Sequence, residues 1–165
     1  MSGKHLYVLY GSQTGNSEDI ARAVAERCSD ELELSDVNCG TLNSIKDNIS
    51  NIKNIASMII VVCSTTGNGD APENALSFWR AVKLRSCSKD MFQDVPYCVL
   101  GLGDTNYDKF CHMGKSIDTR LKDLGGNRLL PVGCADEATG LEQVVDPWMD
   151  SIIEIVKQQL CSDAK

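Results

Sequence analysis

Leu6-Tyr7-Val8-Leu9-Tyr10 runs directly into Gly11-Ser12-Gln13-Thr14-Gly15-Asn16-Ser17 and then into Glu18-Asp19-Ile20-Ala21. The apolar run fits a strand covered on both faces. Beyond the loop, Ile20, Ala21, Val24, Ala25 and Cys28 recur at helical spacing, which predicts an amphipathic helix from Ser17 or Glu18 to about Cys28. Ser17 is its expected N-cap, with Glu18 and Asp19 in the first turn, where negative charge is favoured. A strand that turns straight into a helix leaves the first helical N–H groups without partners and aimed at one point, an arrangement that attracts anions. The loop adds the hydroxyls of Ser12, Thr14 and Ser17 and the amides of Gln13 and Asn16, and Gly15 permits close backbone approach. It holds no Lys or Arg, whereas a nucleoside triphosphatase loop ends in Gly-Lys-Ser/Thr. Such a neutral, donor-rich loop suits a terminal phosphate that is held and never transferred. An ordinary hydrophilic turn has the same composition, so this stretch alone leaves both readings open.

Working outward, residues 33–38 read as a second strand whose weaker hydrophobicity places it at a sheet edge, and Gly40 breaks the chain after it. Leu42, Ile45, Ile49 and Ile52 mark a short helix. Residues 56–63 are apolar and rich in β-branched side chains, a third strand, which opens into Ser64-Thr65-Thr66-Gly67-Asn68-Gly69-Asp70. A helix carrying Ala75, Leu76, Phe78, Trp79, Ala81 and Val82 follows. The fourth strand, residues 96–102, ends in Gly103-Asp104-Thr105-Asn106-Tyr107-Asp108. Met113, Ile117, Leu121 and Leu124 then give a helix stopped by Gly125-Gly126. Residues 128–132 read as a fifth strand, residues 133–137 as its loop, and Val144 to Leu160 as the last helix. Pro147 sets residues 141–146 apart as a separate turn, because proline lacks the N–H an inner helical turn needs.

Five strands alternating with five helices imply one α/β domain: a doubly wound, five-stranded parallel sheet with helices on both faces. Ligands of such sheets bind beyond the carboxyl ends of the strands, where strand order reverses. The loops after strands one, three and four meet at that edge, and their coincidence is far more specific than any one of them.

The chain has 165 residues and a formal charge of −7, with 16 Lys+Arg against 23 Asp+Glu. That sign argues against nucleic acid and is compatible with a basic protein partner. No apolar run is long enough to cross a bilayer and no signal-peptide pattern opens the chain, so a cytoplasmic location is expected. None of the eight cysteines stands in a C-x-x-C pair, which argues against zinc, iron–sulfur and thioredoxin-like chemistry and favours reduced structural thiols. A signalling receiver domain needs acidic residues after strand one and at the end of strand three, where Gly11 and Ser64 stand.

Gly11-Ser12-Gln13-Thr14-Gly15-Asn16, Ser64-Thr65-Thr66-Gly67-Asn68-Gly69-Asp70 and Leu100-Gly101-Leu102-Gly103-Asp104-Thr105-Asn106-Tyr107 resemble the three FMN-binding loops of the flavodoxin-like domain of diflavin reductases. The likeness extends over essentially the whole chain and implies the flavodoxin strand order 2-1-3-4-5, with FMN at the switch point, an arrangement taken from that family rather than from the residues. Phe110-Cys111, Gly114-Lys115, Ile117-Asp118, Arg120-Leu121, Gly140-Leu141-Glu142, Val144-Val145 and Pro147-Trp148 further resemble the methionine synthase reductase branch of that group. The chain carries no FAD- or NADPH-binding part, so the resemblance implies the N-terminal FMN domain of a longer diflavin reductase, or a stand-alone relative with another acceptor.

The resemblance assigns roles residue by residue. Ser12, Gln13, Thr14, Gly15 and Asn16 would hold the FMN phosphate. Ser64, Thr65, Thr66, Gly67, Asn68 and Gly69 would line the flavin from the second loop, with the Gly67 backbone at the flavin N5. Leu102, Gly103, Asp104, Tyr107, Phe110, Cys111 and Asp136 would complete the site. Tyr107 would stack on the isoalloxazine, and Asp104 and Asp136 would oppose negative charge on the reduced ring. Many diflavin reductases have a second aromatic where this chain has Thr66. The implied partners are an FAD/NADPH reductase module and an acceptor protein, methionine synthase in the branch named above. Asp70, Glu73, Asp104, Asp108, Asp136 and Glu137 would supply docking charge. No acid–base or nucleophilic catalyst and no metal are expected, since the redox chemistry belongs to the flavin.

Overall fold

The computed structural model describes residues 4–66, 69–84, 86–107 and 109–161. Strand β1 (Leu6–Gly11) lies inside a parallel sheet, between the edge strand β2 (Val37–Thr41) and β3 (Met58–Ser64). Strand β4 (Pro96–Gly103) follows β3, and both β5 (Asn127–Arg128) and β6 (Gly133–Asp136) pair with β4. The order β2-β1-β3-β4-β5 is the expected one. The continuous apolar run of β1 now has its reason. Leu6, Val8 and Tyr10 face a core shared with α1 (Asn16–Glu31) and α5 (Glu142–Val156). On the other face, Leu9 packs with residues of α3 (Glu73–Val82) and α4 (His112–Asp123).

Five elements depart from the sequence expectation. Helix α1 runs past Cys28 to Glu31, held on its exposed side by the Arg27 Nε–H to Glu31 Oε2 bond of 2.7 Å, which apolar periodicity does not register. Glu33 then takes a positive φ of 55°, so the second strand begins at Val37 and Gly40 lies inside it, opposite Leu9. The segment marked by Leu42, Ile45, Ile49 and Ile52 is a 3₁₀ helix (Leu42–Asn51) that passes into a single α-turn, α2 (Ile52–Ile55), and all four side chains are buried. Helix α5 is continuous through Pro147. The missing N–H would have served the carbonyl of Gln143, which lies on the exposed side of the helix, so the loss is tolerated.

The fifth departure bears on function. The single strand expected over residues 128–132 is two short ones, and most of the expected loop at 133–137 is strand β6. Leu129 still donates to the Tyr97 carbonyl at 3.0 Å, but Pro131 has no N–H and cannot continue a ladder. Pairing resumes at Gly133, opposite Leu100, and carries Asp136 to the level of Gly103 at the carboxyl edge of the sheet.

Candidate functional site

The first loop owes its shape to Gly15, the N-cap of α1, with φ 101°, a left-handed conformation that costs glycine nothing. Its carbonyl accepts the first helical bond, from Asp19 at 2.9 Å, so Asn16, Ser17 and Glu18 present N–H groups without acceptors inside the helix. Ser17, the expected N-cap, is instead the second helical residue. It is fully buried, and its hydroxyl shares a 2.7 Å hydrogen bond with that of Ser64. The Ser12 hydroxyl accepts the Gly15 N–H at 2.8 Å, and the Ser12 N–H donates to Asn74 Oδ1 at 2.9 Å. Sequence reasoning missed Asn74, since one amide in the first turn of a helix carries no local signal. Gln13 and Thr14 remain exposed at the tip.

In the second loop, Thr66 donates both its N–H (3.0 Å) and its hydroxyl (3.1 Å) to the Asp70 carbonyl, and Gly69 turns the chain with φ 86°. The Thr65 hydroxyl accepts the Met113 N–H at 3.0 Å, tying this loop to the start of α4. Gly67 and Asn68 lie outside the described residues.

The third loop is pinned by Asp136. Its carboxylate accepts the Thr105 N–H (3.0 Å), the Thr105 hydroxyl (2.8 Å) and the Ala138 N–H (2.9 Å). Asp104 accepts the Asn106 N–H at 2.8 Å, and Tyr107 donates its own N–H to the Asp104 carbonyl at 3.0 Å. The Tyr107 ring, 58% exposed, is one of only two large hydrophobic side chains left in solvent among the described residues.

These segments enclose a cleft of about 240 Å³ lined by Gln13, Thr14, Ser64, Thr65, Thr66, Gly103, Asp104 and Tyr107, together with Lys109 and Glu137. Lys109 was not foreseen, and Glu137, expected only as docking charge, enters the lining because β6 lifts it to the rim, where its N–H bonds the Gly103 carbonyl at 2.8 Å. Phe110 lies beneath Lys115, whose ammonium is 5.5 Å from the ring centroid. Leu102 and Cys111 are fully buried, Leu102 in the core and the Cys111 thiol 3.9 Å from the Ala135 carbonyl. Their side chains face the interior, which leaves only their backbone to meet a ligand.

Loss of solvent acts to raise the Asp136 carboxyl, but the donors from Thr105 and Ala138 outweigh it and hold the group below its usual value. A carboxylate so depressed contributes stability that is complete above the unfolded value of about 3.9 and is lost as pH falls through the folded one. Asp136→Ala is therefore expected to lower the urea midpoint by a constant amount above about pH 5, with the gap to wild type narrowing as pH falls. Urea titrations at a series of pH values check this; a gap that widens in acid contradicts it.

Fold and cleft together define a doubly wound α/β protein whose ligand cleft opens at the carboxyl edge of a parallel sheet. The chain belongs to the flavodoxin family, whose model matches residues 8–148. Among curated proteins it is 38% identical over 151 residues to NADPH-dependent diflavin oxidoreductase 1 of Danio rerio, covering 90% of this chain and 24% of that protein. It is 34% identical over 160 residues to methionine synthase reductase of Bos taurus, covering 97% of this chain and 22% of that one. The chain thus spans about a quarter of the length of these relatives. Among solved structures, a mutant flavodoxin from Pseudomonas aeruginosa superposes with a TM-score of 0.73 at 25% identity, over 93% of this chain and 99% of that one.

FMN is the cofactor of this domain. The residues present fit it: the first-turn N–H groups of α1, which have no acceptor inside the helix and follow directly on the Gln13 and Thr14 lining, suit a phosphate, and the exposed tyrosine ring in the lining suits a flat tricycle. Among the described residues, no helix is long and apolar enough to cross a membrane.

Proposed function

We propose that this chain is the FMN-binding electron-transfer domain of a diflavin reductase, carrying electrons from an FAD module that oxidises NADPH to an acceptor protein. The observation that carries the reading is the convergence of three loops on one cleft with an exposed aromatic ring on its wall. Bound FMN would supply the redox chemistry, which accepts and gives electrons singly. The chain's own residues bind, orient and tune. The N–H groups of Asn16, Ser17 and Glu18, with the exposed Thr14 hydroxyl, hold the phosphate at the positive end of α1. Tyr107 covers one face of the ring. Asp104 and Glu137 set negative charge at the rim, where it opposes added charge on the reduced ring, while Lys109 in the same lining partly offsets them. Thr66 stands in the lining with its hydroxyl turned into its own loop, so the second ring face has no aromatic cover from that position.

The purified chain is expected to take up FMN, turn yellow and quench flavin fluorescence; a colourless protein that cannot take up FMN overturns the reading. Tyr107→Ala is expected to weaken FMN binding by about tenfold, the equivalent of about 1.4 kcal/mol of ring contact, with the urea midpoint unchanged. Fluorescence titration measures it.

For the acceptor, we favour the cobalamin-dependent methionine synthase, on the stretches from Phe110 to Leu121 and from Gly140 to Trp148 that resemble the methionine synthase reductase branch. A different acceptor is the second reading, supported by the comparable identity to diflavin oxidoreductase 1. Comparing electron delivery to methionine synthase with delivery to other acceptors separates the two. Of the acidic residues first assigned to docking, Asp136 is committed to its own loop and Asp108 lies outside the described residues. Asp70, Glu73 and Glu137 are exposed and Asp104 is half-exposed at the cleft edge. Transfer to a basic acceptor is accordingly expected to slow as ionic strength rises, and a flat dependence counts against charge-led docking.

A further inference from the structure

Behind the third loop, two cysteines that no electron-transfer role uses are brought together. Cys134, in β6, is paired in register with Gly101 of β4, and residues so paired project their side chains to the same face of a sheet. On that face Gly101 has no side chain, and the space is taken by Cys111: a Cβ built on Gly101 would lie 3.4 Å from Cys111 Cβ and 3.6 Å from its Sγ. A Cβ on Gly103 would likewise lie 3.2 Å from the same sulfur. The Cys111 thiol therefore reaches across the glycines of β4 toward Cys134. The two differ in access, Cys111 being fully buried and Cys134 half-exposed. They also differ in chemistry. The neighbouring Cys134 sulfur, with burial adding to the effect, pushes the Cys111 thiol far up. Cys134 is drawn down by Cys111, and Lys115 on the first turn of α4 acts to lower both.

We propose that Cys111 and Cys134 are a redox-active pair that closes into a reversible disulfide when a hydroperoxide oxidises Cys134. In the first step the Cys134 thiolate attacks a peroxide oxygen, the O–O bond breaks, and Cys134 becomes a sulfenic acid as hydroxide (or alkoxide) leaves. In the second step the Cys111 sulfur attacks the Cys134 sulfur, the S–O bond breaks, and the Cys111 proton departs with that oxygen as water. For hydrogen peroxide the sum is two thiols and one peroxide giving one disulfide and two waters, with both electrons ending on the peroxide. A dithiol reductant reverses it by exchange. The half-exposed residue meets the oxidant and the buried one resolves it, which protects Cys134 from further oxidation. Cys28 and Cys161 are a second pair of neighbours, with Cys28 fully buried and raised by burial to about 11 and Cys161 half-exposed, so a peptide map tells the two pairs apart. The proposal does not depend on the acceptor or on FMN being bound.

The test treats the full 165-residue chain with one equivalent of hydrogen peroxide, blocks remaining thiols with N-ethylmaleimide in denaturant, and maps digested peptides by mass spectrometry. The expected result is one peptide joining Cys111 to Cys134, two of eight thiols lost, and full recovery with dithiothreitol. Cys134→Ser is expected to remove the linked peptide and slow thiol loss by about tenfold. Cys111→Ser is expected to leave a sulfenic acid at Cys134 that dimedone traps. Because Cys111 is buried, Cys134→Ser decides the matter where Cys111→Ser does not fold. Recovery of Cys111 and Cys134 both as free thiols while other cysteines oxidise, or a dominant Cys28–Cys161 link, overturns the proposal.

Discussion

Thr14→Asp is expected to weaken FMN binding by about a hundredfold or more while leaving the FMN-free protein as stable as before, or slightly more so. Thr14 is exposed at the tip of the first loop, one residue before the N-cap of α1, and lines the cleft. A carboxylate there faces the positive end of the helix and the free N–H groups of its first turn, a placement worth about 0.3–1 kcal/mol of stability. The same place is where the phosphate of the bound cofactor would sit. Like charges brought together at such a site cost several kcal/mol, and about 3 kcal/mol is already a hundredfold in affinity. The two effects have opposite signs, which makes the variant informative. A loop that merely turned the chain would show the small stability change and no change in affinity. Added salt is expected to restore part of the lost binding, because exposed charges are screened. Thr14→Ser, which keeps the hydroxyl, serves as the control. Flavin fluorescence titration and urea unfolding of the FMN-free chain give the two numbers.

What could be read in advance follows from how far apart the deciding atoms lie along the chain. The β1–loop–α1 unit was legible because its strand and helix periodicities adjoin and its loop chemistry is local. The sheet order and the meeting of three loops followed from alternation and from family resemblance. The misread boundaries have non-local or exposed causes. Helix α1 extends to Glu31 through an ion pair on its wet side, and β2 takes its register from β1 rather than from its own weak pattern. Pro131 splits the last strand, which only pairing with β4 on both sides of it reveals. Within the site, Ser17 looked like a cap because its hydroxyl neighbours a helix start, yet its partner is Ser64, far along the chain. Asn74 and Lys109 came into the site by fold alone. Asp136 was seen as a charge for the flavin, and its three hydrogen bonds make it first a brace for the third loop.

Gly114→Val is expected to destabilise the chain by about 3 kcal/mol or more and to lower FMN uptake with it. Glycine inside a helix ordinarily costs about 1 kcal/mol relative to alanine, so at an open site its replacement would stabilise α4. Gly114 is not at an open site. A Cβ there would stand 2.6 Å from the Gly101 Cα and 3.1 Å from the Gly101 nitrogen. These are backbone atoms in the middle of β4, and no rotamer change removes them, so the helix itself must move outward. Gly114→Ala, in which the propensity gain partly offsets the clash, is expected to lose about 1–2 kcal/mol; valine adds two methyl groups and loses the offset. The displacement reaches the site because α4 begins at His112 and the Met113 N–H holds the Thr65 hydroxyl of the second loop. The third loop feels it too, since a Cβ on Gly103 would already lie 2.6 Å from the Cys111 nitrogen, leaving no slack between β4 and the start of α4. Urea unfolding and FMN titration should therefore fall together for Gly114→Val, where Thr14→Asp separates them. Thr119→Ala, on the exposed face of the same helix, is expected to change stability by no more than about 0.5 kcal/mol. An unaltered urea midpoint for Gly114→Val would mean that β4 and α4 do not touch backbone to backbone, and that the three loops are brought together by something other than this contact.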